Sequence, residues 1–208
     1  MTNPDAFGLI STTTDVVQAT AGDYSRVKDD KALQHAFHES GRDLLLVKEA
    51  LRTARNQIQS RGLAGESQVF MRSLKACNEK ALVSRNLFES VARSPEIKRL
   101  ECYKAAVRQA GQGNTVEALV EGMMKDVCEL AKSCTFDAAM VKQVRALRDA
   151  INRLSTIGPS VEASRNSFNN YGQGPQYNNP EGTQNNNTGS GTMIEGSVFN
   201  APVTLGRN

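Results

Sequence analysis

The chain has two histidines in its 208 residues, His35 and His38, three apart in HAFHES with Glu39 beside them. On one helix face, that spacing could offer two imidazoles and a carboxylate to a metal ion. No second cluster of His, Cys, Asp or Glu stands elsewhere to complete the coordination, so both histidines are expected to be surface polar residues and no metal or other cofactor is implied. The four cysteines, Cys77, Cys102, Cys128 and Cys134, fall inside helical patterns without CxxC pairing. Reduced, largely buried thiols fit that distribution better than a zinc site or a disulfide framework. The GQGN run at 111–114 has the glycines of a phosphate loop but lacks a preceding strand and the Lys-Ser/Thr pair, so it reads as a helix-breaking turn. No Ser or Cys sits in a nucleophile-elbow context, and two histidines leave few bases for a triad. These residues argue against catalysis.

A different chemistry is written at the other end. From about Ser164 onward the chain turns to Asn, Gly, Gln, Thr and Ser, with Glu181, Glu195 and Arg207 almost its only charges. Such a composition cannot bury enough apolar surface to offset the entropy of ordering, so the tail is expected to be disordered by itself. GTQNNNTGSG at 182–191 is followed by TMIEGSVFNAPVTLG, a short apolar and β-prone stretch. Asn and Gln ladders with stacked β-prone side chains are what parallel in-register cross-β assemblies use. Pro175, Pro180 and Pro202 must then stand at turns or edges of any such core, because proline cannot donate to a ladder.

What would carry this tail is helical. Before Pro159, apolar residues recur in steps of three and four and no strand alternation competes. One stripe runs Leu44, Val47, Leu51, Ala54, Ile58 and ends before Gly62 and Gly65. The next runs Phe70, Leu74, Cys77, Ala81 and, past a polar step, Phe88 and Val91. Ser94 and Pro95 close that helix and open another, with Ser94 as cap and Ile97, Leu100, Tyr103 and Val107 as inner face. Asn114 and Glu117 have capping-box spacing ahead of Val116, Leu119, Val120, Met123, Val127 and Leu130. Phe136, Met140, Val144, Leu147, Ile151 and Leu154 form the last stripe, stopped by Gly158 and Pro159. At the start, Asn3 as cap and Pro4 at the first position precede Phe7, Ile10, Thr14 and Val17, an apolar face thinned by Thr12, Thr13 and Thr14. This first segment is the one best placed to detach toward a membrane or partner, through Phe7, Ile10 and Val17. The pattern predicts an all-α bundle of about six helices over 1–160, a linker over 161–175 and a cross-β-forming tail over 176–208.

Composition bounds the partners. A net charge of +3, spread among acidic residues on helices, does not call for nucleic acid. No apolar run approaches the length of a membrane span, and the N-terminus lacks the basic-then-apolar layout of a secretion signal, so a cytoplasmic protein is expected.

Three segments, ALQHAFHESGRDLLLVKEALRTA, LKACNEKALVSRNLFESV and RLECYKAAVRQAGQGNTVEALVEGMMKDV, resemble in order the helical SesA domain at the N-terminus of fungal NACHT-type NTPases. The most distinctive piece is the run from Tyr103 to Glu117, ending in GxGNxVExL. The tail resembles the σ-type amyloid motif of fungal signalling proteins at Gln176, Asn178, Asn179, Gly182, Gln184, Asn185, Asn186, Asn187, Gly189, Gly191, Gly196, Phe199 and Asn200. The resemblance implies an effector of fungal programmed cell death in non-self recognition, or heterokaryon incompatibility, lacking its own NTPase module. A NACHT-type, NLR-like NTPase bearing a matching motif would template the tail, the tails would self-assemble, and the clustered helical domains would act on membrane lipid. A second implied role is a non-enzymatic adaptor that co-assembles with such NTPases or with a lipase-like effector. An inert extension on a helical domain is the plainest alternative for the tail.

Overall fold

The computed structural model describes residues 4–61, 68–111, 114–133 and 138–161. The chain divides into two units, Met1–Glu162 and Ala163–Asn208, and everything described belongs to the first. The residues named in the tail, the linker beyond Val161, Asn3, Gly62, Gly65, Cys134 and Phe136 lie outside the described residues.

Among the described residues, six α-helices and one 3-10 turn follow in order, with no strand. They are α1 (Pro4–Ser25), α2 (His35–Arg61), α3 (Gln68–Arg93), the 3-10 turn Glu96–Lys98, α4 (Arg99–Ala110), α5 (Val116–Lys132) and α6 (Ala138–Ser155). α1 lies against α2 and α3; α3 also packs on α5 and α4; α5 and α6 close on α2 and on each other. The fold is the all-α bundle that the 3.6-residue periodicity predicts.

The stripes become the core. Leu44, Val47, Leu51, Ala54 and Ile58 of α2 are buried, as are Phe70, Leu74, Cys77, Ala81, Phe88 and Val91 of α3. The polar step in the α3 stripe is Ser84, and it too is fully buried. Every apolar residue read onto the α5 stripe is buried as well. At one end, four rings join four elements: Tyr24 of α1, Phe37 of α2, Phe88 of α3 and Tyr103 of α4. Their centroids lie 6.0 Å (Tyr24–Phe88), 4.8 Å (Phe37–Phe88) and 5.1 Å (Phe37–Tyr103) apart. Such offset and edge-on pairs add about 0.5–1.5 kcal/mol each to the area they bury.

Four local expectations are corrected. Ser94 does not cap the next helix: its hydroxyl donates back to the Ser90 carbonyl at 2.7 Å, and a 3-10 turn without a side-chain cap intervenes. That turn advances about 120° per residue rather than 100°, which swings Ile97 off the inner face and leaves it 92% exposed. The cap of α5 is Thr115 rather than Asn114; its Oγ1 accepts from the Ala118 amide, while Asn114 Nδ2 donates to the Ala110 carbonyl at 2.6 Å. The preceding turn needs Gly111 because its φ is +94°.

The fourth correction concerns α1. Of the threonines read as thinning its apolar face, Thr12 is exposed, but Thr13 and Thr14 are buried, as is Thr20. Each buried hydroxyl donates to the carbonyl four residues back, at 2.8, 2.6 and 2.8 Å, so its polar atom is satisfied within the helix and its methyl remains free to pack.

Candidate functional site

Of the three contact residues proposed on α1, Ile10 and Val17 are fully buried against α2 and α3. Phe7 is half-buried, with the Arg55 guanidinium 5.9 Å from its ring centroid. The Thr13 hydroxyl proton is shared with Asn78 Oδ1 of α3, at 3.1 Å, which fixes the helix in register. The apolar face of α1 is therefore committed to the bundle in this structure, and any use of it elsewhere requires the helix to unpack.

The histidines are not brought together around a metal. His35 is exposed, whereas His38 is half-buried and its Nε2 lies 2.8 Å from the Asp30 carbonyl oxygen, closing the α1–α2 connection; its expected surface placement is corrected. Glu39 turns to arginines instead, pairing with Arg42 and, at 3.1 Å, with Arg153 Nε. No group of three or more His, Cys, Asp or Glu residues placed to hold a metal occurs among the described residues. Cys77 and Cys128 are buried free thiols and Cys102 is half-exposed. Burial pushes the Cys77 thiol up to about 12, too high for thiolate chemistry near neutral pH.

Polar side chains instead tie helix to helix. Arg153 of α6 spans Glu39 and Asp43 of α2, with Nη2 2.5 Å from Asp43 Oδ1. Burial raises the Asp43 carboxyl above its ordinary range, and Arg153 only partly opposes that. Lys80 of α3 meets Asp126 of α5 at 2.8 Å; burial again raises the carboxyl and Lys80 lowers it. Arg99 at the start of α4 donates to buried Asp30 at 3.1 Å. Each pair fixes one element to another.

The most connected of these arrangements gathers at the end of the bundle. The Val116 amide donates to the Tyr103 hydroxyl at 3.2 Å, and that hydroxyl lies 2.5 Å from Ser160 Oγ. Ser160 Oγ in turn donates to Glu117 Oε2 at 2.5 Å, and the Ser160 amide donates to Glu117 Oε1 at 2.9 Å. With the amide fixing the direction, every hydroxyl passes its proton onward and the acceptor-only carboxylate ends the chain. Burial raises the tyrosine's pKa, so it stays a neutral donor. Ser160 is 2% exposed, so its contact with a carboxylate is a structural clasp rather than a nucleophile open to substrate. Tyr103 and Glu117 both belong to the most distinctive run in the sequence, and beyond the Gly111 turn they meet on one serine. Sequence reasoning placed Tyr103 on an inner face and gave Glu117 to a capping box; a contact spanning 43 residues leaves no local periodic signal.

The polar side chains described above tie helix to helix, and past Val161 the sequence turns rich in Asn and Gly. The family model for SesA, the N-terminal domain on NACHT NTPases and P-loop NTPases, matches residues 10–130, and the chain belongs to that family. A second model, the sigma domain on NACHT-NTPases, matches residues 165–206. No curated protein and no solved structure matches the chain. Both matched domains are regulatory pieces carried on NACHT NTPases, not catalytic modules themselves, which ties this chain to NACHT-associated signalling. No helix among the described residues is long and apolar enough to cross a membrane.

Proposed function

We propose that the chain is a signal-controlled effector of fungal programmed cell death and heterokaryon incompatibility. In the resting state it is unassembled. When an NLR-type NACHT NTPase bearing a matching motif presents an ordered template, the tail adds to it as cross-β, and the gathered helical domains act at a membrane. The observation that carries this reading is the pairing in one chain of a SesA match at 10–130 with a sigma match at 165–206. The residues offered for templating are those of the Asn/Gly run, Gln176, Asn178, Asn179, Gly182, Gln184, Asn185, Asn186, Asn187, Gly189 and Gly191, with Gly196, Phe199 and Asn200 beyond it. Silence without a template follows from physics: a cross-β nucleus must order several chains at once, whereas a growing end orders one.

The membrane step requires α1 to leave the bundle, since Ile10 and Val17 are buried. Phe7, Ile10 and Val17 would then be the residues offered to lipid. The adaptor reading, in which the bundle only recruits or restrains a separate effector, is separated from the effector reading by fusing residues 1–161 to an artificial oligomeriser. Killing or liposome leakage supports the effector, and inert clusters support the adaptor. Templating itself is tested by Asn186→Asp, which stacks like charges at every rung, and by Phe199→Pro, which removes a ladder donor and a ring. If both variants form foci like the unaltered chain, the tail has no templating role.

A further inference from the structure

α6 carries four cations, Lys142, Arg145, Arg148 and Arg153, against one carboxylate, Asp149. Arg153 is engaged by Glu39 and Asp43, but Lys142, Arg145 and Arg148 are exposed and form no ion pair among the described residues. On the same outer face Val141 is 67% exposed. Val141, Arg145 and Arg148 follow at steps of four and three, which makes them one ridge about 10 Å long. Between this ridge and α5 lies a cleft of about 710 Å³. Its floor is apolar, formed by Cys128, Ala131, Met140 and Val144, and the exposed cations Lys132, Arg145 and Arg148 stand on its rim. Burial raises the pKa of the Cys128 thiol and Arg148 opposes the rise, as a guanidinium leaning over that floor must.

We propose that this face docks the folded bundle on bilayers of anionic phospholipid, with Lys142, Arg145 and Arg148 at the headgroup phosphates and Val141 in the acyl boundary. The proposal rests on the membrane action proposed above and supplies its first step, contact made before α1 unpacks. Guanidinium groups pair with phosphate through two parallel hydrogen bonds, and their stems lie along apolar surface while the charge stays at the headgroups. Each Lys or Arg close to an anionic leaflet is worth about fivefold in partitioning, so the three unpaired cations together supply roughly a hundredfold. One bundle then binds weakly and reversibly, whereas a cluster of bundles binds by the product of its contacts. Such a face is nearly silent in a single chain and strong in an assembly.

Two other surfaces lack this combination. α3 also has an excess of cations, but α1, with three aspartates and no Lys or Arg, packs against it and does not touch α6. Leu45 of α2 is half exposed, yet Arg42, Lys48 and Arg52 near it on the helix are paired with Glu39 or Glu49.

The chain has no tryptophan, so an introduced indole reports alone. The test titrates the full, unassembled chain with vesicles of equal parts phosphatidylserine and phosphatidylcholine, and with vesicles of phosphatidylcholine only. Val141→Trp is expected to shift its fluorescence to the blue on the anionic vesicles alone, and added salt should weaken the effect. Ile97→Trp, at a side chain 92% exposed on the 3-10 turn, should keep its spectrum with both. Arg145→Gln combined with Arg148→Gln is expected to weaken flotation with anionic vesicles by about 25-fold, with helical circular dichroism unchanged. If the indole at 141 does not shift, if both probes shift alike, or if the double variant floats like the unaltered chain, the docking face is overturned. A lipid-free dimer of the unaltered chain that the double variant dissociates would assign the face to a second copy and overturn it as well. Vesicle leakage separates this proposal from the reading beneath it. Seeded assemblies of the double variant that empty anionic vesicles as fast as unaltered assemblies overturn the docking face and leave the membrane action standing. Unaltered assemblies that neither bind nor empty the vesicles overturn both.

Discussion

Gly41→Ala sets helix propensity against packing at one position, and the structure decides which wins. Gly41 lies inside α2, where alanine is intrinsically favoured by about 0.8–1.0 kcal/mol. A methyl on its Cα, however, would sit 2.5 Å from Cγ and Cε2 of Tyr24, with Cδ2 closer still, where carbon atoms prefer about 3.5–4.0 Å. Because Cγ is among the clashing atoms, rotating the ring cannot relieve the contact, and the whole side chain must move by about 1 Å. Tyr24 is only 8% exposed, and its ring is bordered by Phe37, His38 and Phe88 at centroid distances of 6.4, 6.1 and 6.0 Å. Overpacking of this kind costs about 1–3 kcal/mol, and three ring atoms in conflict put this site toward the upper end, so after the propensity gain the net loss is up to about 2 kcal/mol. Gly22→Ala in α1 is the control: nothing lies within 4 Å of its added carbon, and a gain of about 0.5–1 kcal/mol is expected. For a chain of this size each kcal/mol moves Tm by about 2–4 °C, so thermal unfolding should shift the two variants in opposite directions. In a Tyr24→Ala background, Gly41→Ala should become stabilising. If Gly41→Ala raises Tm as Gly22→Ala does, the close packing of α1 on α2 through Tyr24 is refuted.

Three further outcomes are expected. Arg153→Met should lower stability by about 2 kcal/mol in urea unfolding, because Glu39 and buried Asp43 lose their shared cation; the half-exposed arginine keeps the loss below that of a fully buried pair. Asp43 and Asp126 have folded-state pKa values raised above 3.8, so the unfolded chain releases these protons first. Their contribution to stability is greatest below pH 3.8 and falls as pH rises through the folded value. Asp126→Asn should therefore reduce the Tm difference between pH 4 and pH 7; an unchanged difference would contradict the burial of that carboxyl. Ile97→Ser should leave stability within about 0.5 kcal/mol, as befits a side chain left in solvent, whereas Tyr103→Ala should cost about 3–5 kcal/mol.

The sequence carried the bundle where burial follows a helical period without interruption. The stripes of α2, α3 and α5 were legible residue by residue because each buried side chain sits three or four from the last. Legibility failed where the period broke or a partner lay far along the chain. Ile97 was misplaced because a 3-10 turn replaced the first turn of a helix. The threonines of α1 counted as polar because hydropathy ignores a hydroxyl's option of bonding to its own helix. Ser84, inside the α3 stripe, is buried for the same positional reason as its apolar neighbours. The clasp was invisible because Glu117 at a cap position and Ser160 after a proline each have an ordinary local explanation. Only the fold brings them to one point.

Conversion of the tail by templating is the step on which the proposed function depends. Fibre diffraction and seeded thioflavin kinetics on residues 165–208, followed by the same seeds added to the full chain, test this most directly. A meridional reflection near 4.7 Å from the peptide and growth without a lag phase in both cases are the expected results. A peptide that stays soluble, and a full chain that ignores added seeds, would contradict the templating reading.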